Sequence, residues 1–151
     1  MAFLLLDEIN VDEAFAGLTP ARLPAWGKMT ARQMPEHLSF ILKVSHAGYE
    51  VPVSTLPVKL EKVKKLFLFS DAPFKQNVQS PLIDNLPDPE FAEITLAIED
   101  LKKQIISFQA YYLQNPNAIH NHPIFGPLNY EEWNVFHGKH FMHHMKQFGL
   151  V

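Results

Sequence analysis

The 151-residue chain predicts an all-α fold, an up-and-down bundle of about four helices, on three observations. Apolar residues recur at spacings of three and four in separate stretches, the period of a helix buried along one face. The longer stretches carry helix start or stop residues at their ends. No stretch shows the alternation of a strand, and no internal repeat is visible. The elements are expected near 31–47, 56–67, 89–114 and 130–148.

The N-terminal segment NVDEAFAGL reads as one short helix. In TARQMPEHLSFILKVSHAGYE, Thr30 and Gln33 form a capping-box pattern and Gly48 ends the element. Met34, His37, Leu38, Ile41 and Val44 make its apolar stripe, and Pro35 removes a backbone donor where the ladder begins. The next stretch turns Leu56, Leu60, Val63 and Phe67 inward and Lys59, Lys62, Lys64 and Lys65 mostly outward. The loop Ser70–Asp88 is rich in proline and polar residues and long for a compact bundle, which marks it as functional or disordered.

The most regular seam follows: Phe91, Ile94, Ile98, Leu101, Ile105, Phe108 and Tyr112. Asp88 is its expected N-cap, Pro89 its first helical residue and Asn115-Pro116 its end. A connection, NPNAIHNHPIFGPLN, leads to the last helix, where Asn129 caps and Glu132 completes the box. On that helix Trp133, Phe136, His137, His140, Phe141, His144, Met145 and Phe148 share one face, with Glu131, Lys139 and Lys146 opposite.

Composition sets limits on function. With 47% hydrophobic and 19% charged residues, the chain reads as one domain, 1–151, with a real core. A net charge of −3 gives no basic footprint, which argues against a nucleic-acid partner. No apolar run is long enough for a membrane span, and MAFLLLDE lacks the features of a signal peptide, so it is expected to be mature sequence. With no cysteine, disulfides, thiolate metal sites and a cysteine nucleophile are excluded, the cytoplasm is the expected compartment, and any thiol must come from outside.

The chemistry concentrates in histidine. His140 and His144, four residues apart, stack two imidazoles on the inward face of the last helix, the usual way a helix offers two ligands to one metal. Left without partners, a buried imidazole would cost about 1–3 kcal/mol per unsatisfied group; a core histidine bonded to a carbonyl or hydroxyl is the plainer alternative. A third ligand has to come from elsewhere, and His37, on the apolar stripe of an early helix, points at the same interior. Three imidazoles would leave a fourth position open, where a metal acts as a Lewis acid on water or a thiol. His137 is read as ligand, secondary donor or helix-start residue, and His143 as solvated.

The motifs WGKMTARQMPEHL, HPIFGPLNYEEW and HGKHFMHHMKQFGL resemble the DinB-like superfamily, most closely its branch of unknown function. The resemblance runs from Trp26 to the C-terminus, with residues 50–88 matching poorly and Pro35 departing from the usual helix former. It implies a four-helix bundle, often dimeric, with a divalent metal held by three histidines. The first ligand falls on His37, and the closing H-x-x-x-H-x-x-Q pattern on His140 and His144, followed by Gln147. Characterised relatives include metal-dependent thiol transferases, a thiol-dependent isomerase and proposed hydrolases.

The expected function is therefore a metal-dependent enzyme acting on a small-molecule substrate, a thiol-dependent transferase or hydrolase. His37, His140 and His144 would hold Zn²⁺ or Ni²⁺, beside an external low-molecular-weight thiol or water. Lys75 is a candidate contact for an anionic substrate or a thiol carboxylate. No side chain is assigned a catalytic role. The alternative is a non-catalytic bundle with a small-ligand store or a structural metal, the latter coordinatively closed by His137 or another side chain. The segments Ser70–Asp88 and His122–Gly126 are expected to border the pocket, with His122 nearer the ion than His120.

Overall fold

The last helix is the axis of the molecule, because every other element of the computed structural model is laid against it or against its immediate neighbours. Residues 4–78 and 86–151 are described. They form α1 (Val11–Ala14), α2 (Gln33–Val44), α3 (Leu60–Val63), a π-helical turn (Lys64–Leu68), α4 (Ile94–Gln114), the strands β1 (His120–His122) and β2 (Gly126–Leu128), and α5 (Tyr130–Gln147). The described chain is mostly helical, with one small antiparallel hairpin.

Helix α5 begins with the expected capping box. Asn129 Oδ1 accepts from Glu132 N–H at 2.9 Å, and the Glu132 carboxylate accepts from Asn129 N–H at 3.1 Å. It ends by lending its free carbonyls to the chain before α2: Arg22 Nε–H donates to Phe148 O at 2.8 Å and Ala25 N–H to Gln147 O at 2.7 Å. Trp133, Phe136, Phe141 and Met145 are buried on it, and so are Gly138 and Lys139 on the side expected to face water. Two segments cover that side. Leu4 and Leu5 cross directly over Gly138, and the π turn and its exit present carbonyls to Lys139, whose Nζ donates to Phe67 O at 2.7 Å and Ser70 O at 3.0 Å. The expectation of a solvated Lys139 is corrected by these contacts.

Helix α2 packs on α4 and, more lightly, on α5. Its Thr30–Gln33 box forms as expected, at 2.9 and 3.2 Å. Pro35 sits buried near the start of α2 and offers no N–H to the ladder, yet the helix continues unbroken to Val44. Met34, Leu38, Ile41 and Val44 are buried as expected. Opposite them α4 contributes Ile94, Leu101, Phe108 and Tyr112, and Tyr112 Oη donates to Ser45 O at 2.6 Å.

Three expectations are corrected. Helix α4 starts at Ile94, not at Pro89, because α2 takes the polar groups that an earlier turn would need. The Glu36 carboxylate accepts Glu90 N–H at 2.8 Å, Arg32 donates to Phe91 O at 2.6 Å, and Gln33 Nε2 donates to Pro87 O at 3.1 Å. The stretch 56–67 is helical from Pro57 but is not one regular α-helix: Leu56 is 59% exposed, α3 lasts one turn, and the widened π turn buries Leu68. Lys64 there pairs with Glu132 at 2.6 Å instead of facing water. Finally, the all-α expectation missed β1 and β2, paired His120↔Leu128 and His122↔Gly126. Three-residue strands are too short to show a period of two. Their turn is secured from outside, as Ser54 N–H donates to Pro123 O at 2.7 Å and Thr55 Oγ1 to Ile124 O at 2.6 Å.

The crossing at Gly138 makes a prediction of inverted sign. In a free helix Gly→Ala stabilises by about 1 kcal/mol. Here the added Cβ would lie 2.0 Å from Leu4 O. Gly138→Ala should instead destabilise the protein by about 2 kcal/mol or more, read from urea unfolding. A gain in stability would show that the N-terminal segment does not seal this side of α5.

Candidate metal centre

The three predicted ligands converge. His140 and His144 stand one turn apart on α5, and His37 reaches them from the first half of α2. His140 Nε2 lies 3.1 Å from His37 Nε2 and 3.0 Å from His144 Nε2. The rings meet nearly edge to face, with centroids 4.7–5.0 Å apart. The three ligand atoms all fall within 4.8 Å of one another, and among the described residues no further His, Cys, Asp or Glu joins the group.

Hydrogen atoms alone cannot satisfy this cluster. His144 Nδ1 lies 2.7 Å from Gln147 Oε1, and the Gln147 amide is oriented by its own N–H, which donates to Trp26 O at 3.0 Å. A carbonyl oxygen accepts only, so His144 carries its proton on Nδ1 and its Nε2 is a bare lone pair. His140 Nε2 has either a proton or a lone pair in the ring plane. One proton must then serve both neighbours, or one contact sets lone pair against lone pair. His37 Nδ1 and His140 Nδ1 are buried without a hydrogen-bond partner. A cation at the meeting point would accept all three Nε2 lone pairs. Tetrahedral ligands at about 2.0–2.1 Å from zinc stand about 3.3 Å apart, close to the 3.1 and 3.0 Å from His140 to its two neighbours.

Burial also sets the protonation state that a ligand needs. It lowers the His37 pKa to about 4, with His143 adding to the shift, and takes those of His140 and His144 well below the ordinary 6.5. All three imidazoles are neutral at neutral pH. The Trp26–Gln147–His144 chain has the form of an outer hydrogen bond that fixes a ligand's tautomer.

The cluster lies on the wall of a cavity of about 880 Å³, in the range of small-molecule sites. Trp26, Phe67, Phe74, Phe125 and Phe136 give it an aromatic lining. Both expected segments border it. His122, Pro123, Ile124 and Phe125 contribute from the hairpin turn, and Phe74, Lys75, Asn77, Val78 and Leu86 from the long loop, whose residues 79–85 lie outside the described residues. Gly126 turns away at φ 71° to pack on Leu60.

The other histidines take distinct places. His122 lines the cavity, whereas His120 does not and instead lies 2.7 Å from Tyr111 Oη. His122 Nδ1 accepts from Ile124 and Phe125 N–H at 3.0 and 3.2 Å, so the ring is held neutral with its proton on Nε2, and burial lowers its pKa to about 3. His137 is fully buried, stacked on Trp133, with Nε2 2.9 Å from the Ser45 hydroxyl. It belongs to the core and does not join the cluster. His143 is half-buried on the cavity wall between Trp26 and Phe74, which corrects the expectation of a solvated side chain.

These buried neutral imidazoles tie stability to pH. Unfolded histidines take up protons near 6.5, while folded His122, His137, His140 and His144 do so only far lower. Unfolding therefore binds protons below about pH 6.5; the stabilisation is complete above that value and is lost as pH falls toward the folded pKa values. Each such histidine removes up to about 1.4 kcal/mol per pH unit. In the presence of a chelator, the urea midpoint should fall steeply from pH 7 to pH 5. A flat profile would mean that these rings are charged or solvated in the folded chain.

No curated protein and no solved structure matches the chain. The profile of one family matches residues 11–149, which takes in α2, α5 and all three clustered histidines. The chain belongs to that family, the proteins of unknown function DUF1569.

Proposed function

We propose that the chain is a single-domain, DinB-like four-helix bundle and a metal-dependent enzyme that acts on a small molecule. His37, His140 and His144 hold one divalent ion, Zn²⁺ or Ni²⁺. The observation that carries this reading is the meeting of three neutral Nε2 atoms on a cavity wall, with the tautomer of one fixed by Gln147. A divalent cation bound there supplies a Lewis acid to a polar group entering the cavity. The chain's own residues orient the ligands through Gln147, exclude water with Phe74, Phe125 and Phe136, and offer substrate a wall of rings.

A thiol transferase or a hydrolase is the reaction type that fits. With no cysteine in the chain, a thiol nucleophile would be an external low-molecular-weight thiol seated in the cavity. A non-catalytic structural metal fits less well, since such sites are closed by four protein ligands and His137 is engaged with Ser45. The cytoplasmic compartment and the homodimeric assembly expected above belong to the same proposal. No helix of the described residues is long and apolar enough to cross a membrane.

Metal analysis of purified, untagged protein should give one divalent ion per chain. His144→Ala should abolish stoichiometric metal, and His143→Ala should retain it. Gln147→Leu, which leaves the ligands in place but removes the acceptor at His144 Nδ1, should weaken metal affinity by about tenfold or more. Wild-type protein that holds no metal after exposure to zinc or nickel would refute the proposal. If metal is held, a screen of thiols against electrophilic acceptors separates transferase from hydrolase.

A further inference from the structure

The cavity wall departs from the charge of the chain as a whole. The sequence has sixteen acidic residues against thirteen Lys and Arg, for a net charge of −3. Among the described residues that line the cavity, none is Asp or Glu, and the two with a permanent charge are Lys28 and Lys75. Both are exposed, which puts them at the rim. They belong to segments that abut: a Cβ added to Gly27 would lie 3.4 Å from Asn77 Oδ1, so the turn Trp26–Lys28 and the stretch Lys75–Asn77 meet at the same mouth. The Lys75 ammonium is 5.5 Å from the ring centre of Phe67, itself a wall residue.

Each part of the cavity therefore favours a different part of a ligand. Among the described residues, the lining holds no carboxylate to pair with a cation. The walls are aromatic and accept an apolar body. The rim carries two positive charges in a molecule that is net negative, which favours an anion where a ligand enters. We infer that the site takes an organic anion, its acidic group between Lys28 and Lys75 and its apolar body along Phe67, Phe74 and Phe136. This rests on the reading of the cavity as a small-molecule site and adds the charge class of its substrate.

Two probes with one body separate charge from shape: 1-naphthaleneacetate and its neutral amide, 1-naphthaleneacetamide. Each is titrated calorimetrically into the full chain, once with a chelator and once with one equivalent of Zn²⁺. The chelated arm removes any direct contribution of a metal to carboxylate binding. The acetate should bind about tenfold more tightly than the amide in both arms, the gain expected from two exposed charges, and added salt should shrink the difference. In the chelated arm, Lys28→Met combined with Lys75→Met should bring the acetate to the level of the amide, while the corresponding Arg pair should keep the preference. Equal affinity for the two probes, a preference that survives the Met pair in that arm, or failure of both probes to bind would overturn the inference. Zinc content of the same samples tests the metal separately. A chain that prefers the acetate under chelation yet holds no zinc would lose the metal and keep the anion site, whereas a zinc-holding chain without the preference would lose the anion site alone.

Discussion

Enclosure of α5 governs the rest of the structure. A helix wrapped on most sides cannot leave its buried polar side chains to water, so these have to be answered by the protein. Lys139 is answered by carbonyls of the π turn and its exit, Asn134 by the backbone of Asp7, and His137 by Ser45. Gln147 is answered by Trp26 and His144. His140 and His144 are the pair whose Nε2 atoms meet only other imidazoles. What marks the site is the meeting of three ring nitrogens: where lone pairs gather without protons enough to share, a cation has a place to bind.

The same enclosure positions the cavity. The turn that follows Arg22 is bound to the end of α5, which fixes the Trp26 carbonyl and through it the Gln147 amide. The π turn is bound to the middle of α5 through Lys139, whose Nζ also lies 5.1 Å from the Phe74 ring centre. The hairpin is bound to its start, as Trp133 Nε1–H donates to His120 O at 3.2 Å. Phe74, Phe125 and Phe136 then close one side of the cavity as a cluster of rings, with centroids 5.7–6.4 Å apart. Residues far apart in sequence thus share a wall because each is anchored to the same helix.

Much of the site was legible in the sequence, for a physical reason. The i, i+4 spacing of His140 and His144 needs only helical geometry to become a pair, and His37 needs only the inward stripe of its own helix. The caps at Thr30–Gln33 and Asn129–Glu132 are local bonds between near neighbours, so they too could be read directly. What could not be read depends on contacts across the fold. The register that makes Lys139 polar-facing on an isolated helix says nothing of a π turn laid over it. Asp88-Pro89 is a sound helix start until Arg32, Gln33 and Glu36 claim the groups around it. The hairpin has strands of three residues and draws its order from Ser54 and Thr55. His143 reads as solvated because the wall it joins is completed by Trp26 and Phe74 from other segments.

The central claim is that three imidazole nitrogens of this chain share one divalent ion, and X-ray absorption spectroscopy of the zinc-loaded protein tests it most directly. The account predicts a first shell with three imidazole nitrogens at about 2.0–2.1 Å, recognisable by the multiple scattering of their rings. His37→Ala should reduce that count to two. A first shell made mainly of oxygen, or one unaltered by the loss of His37, would contradict it.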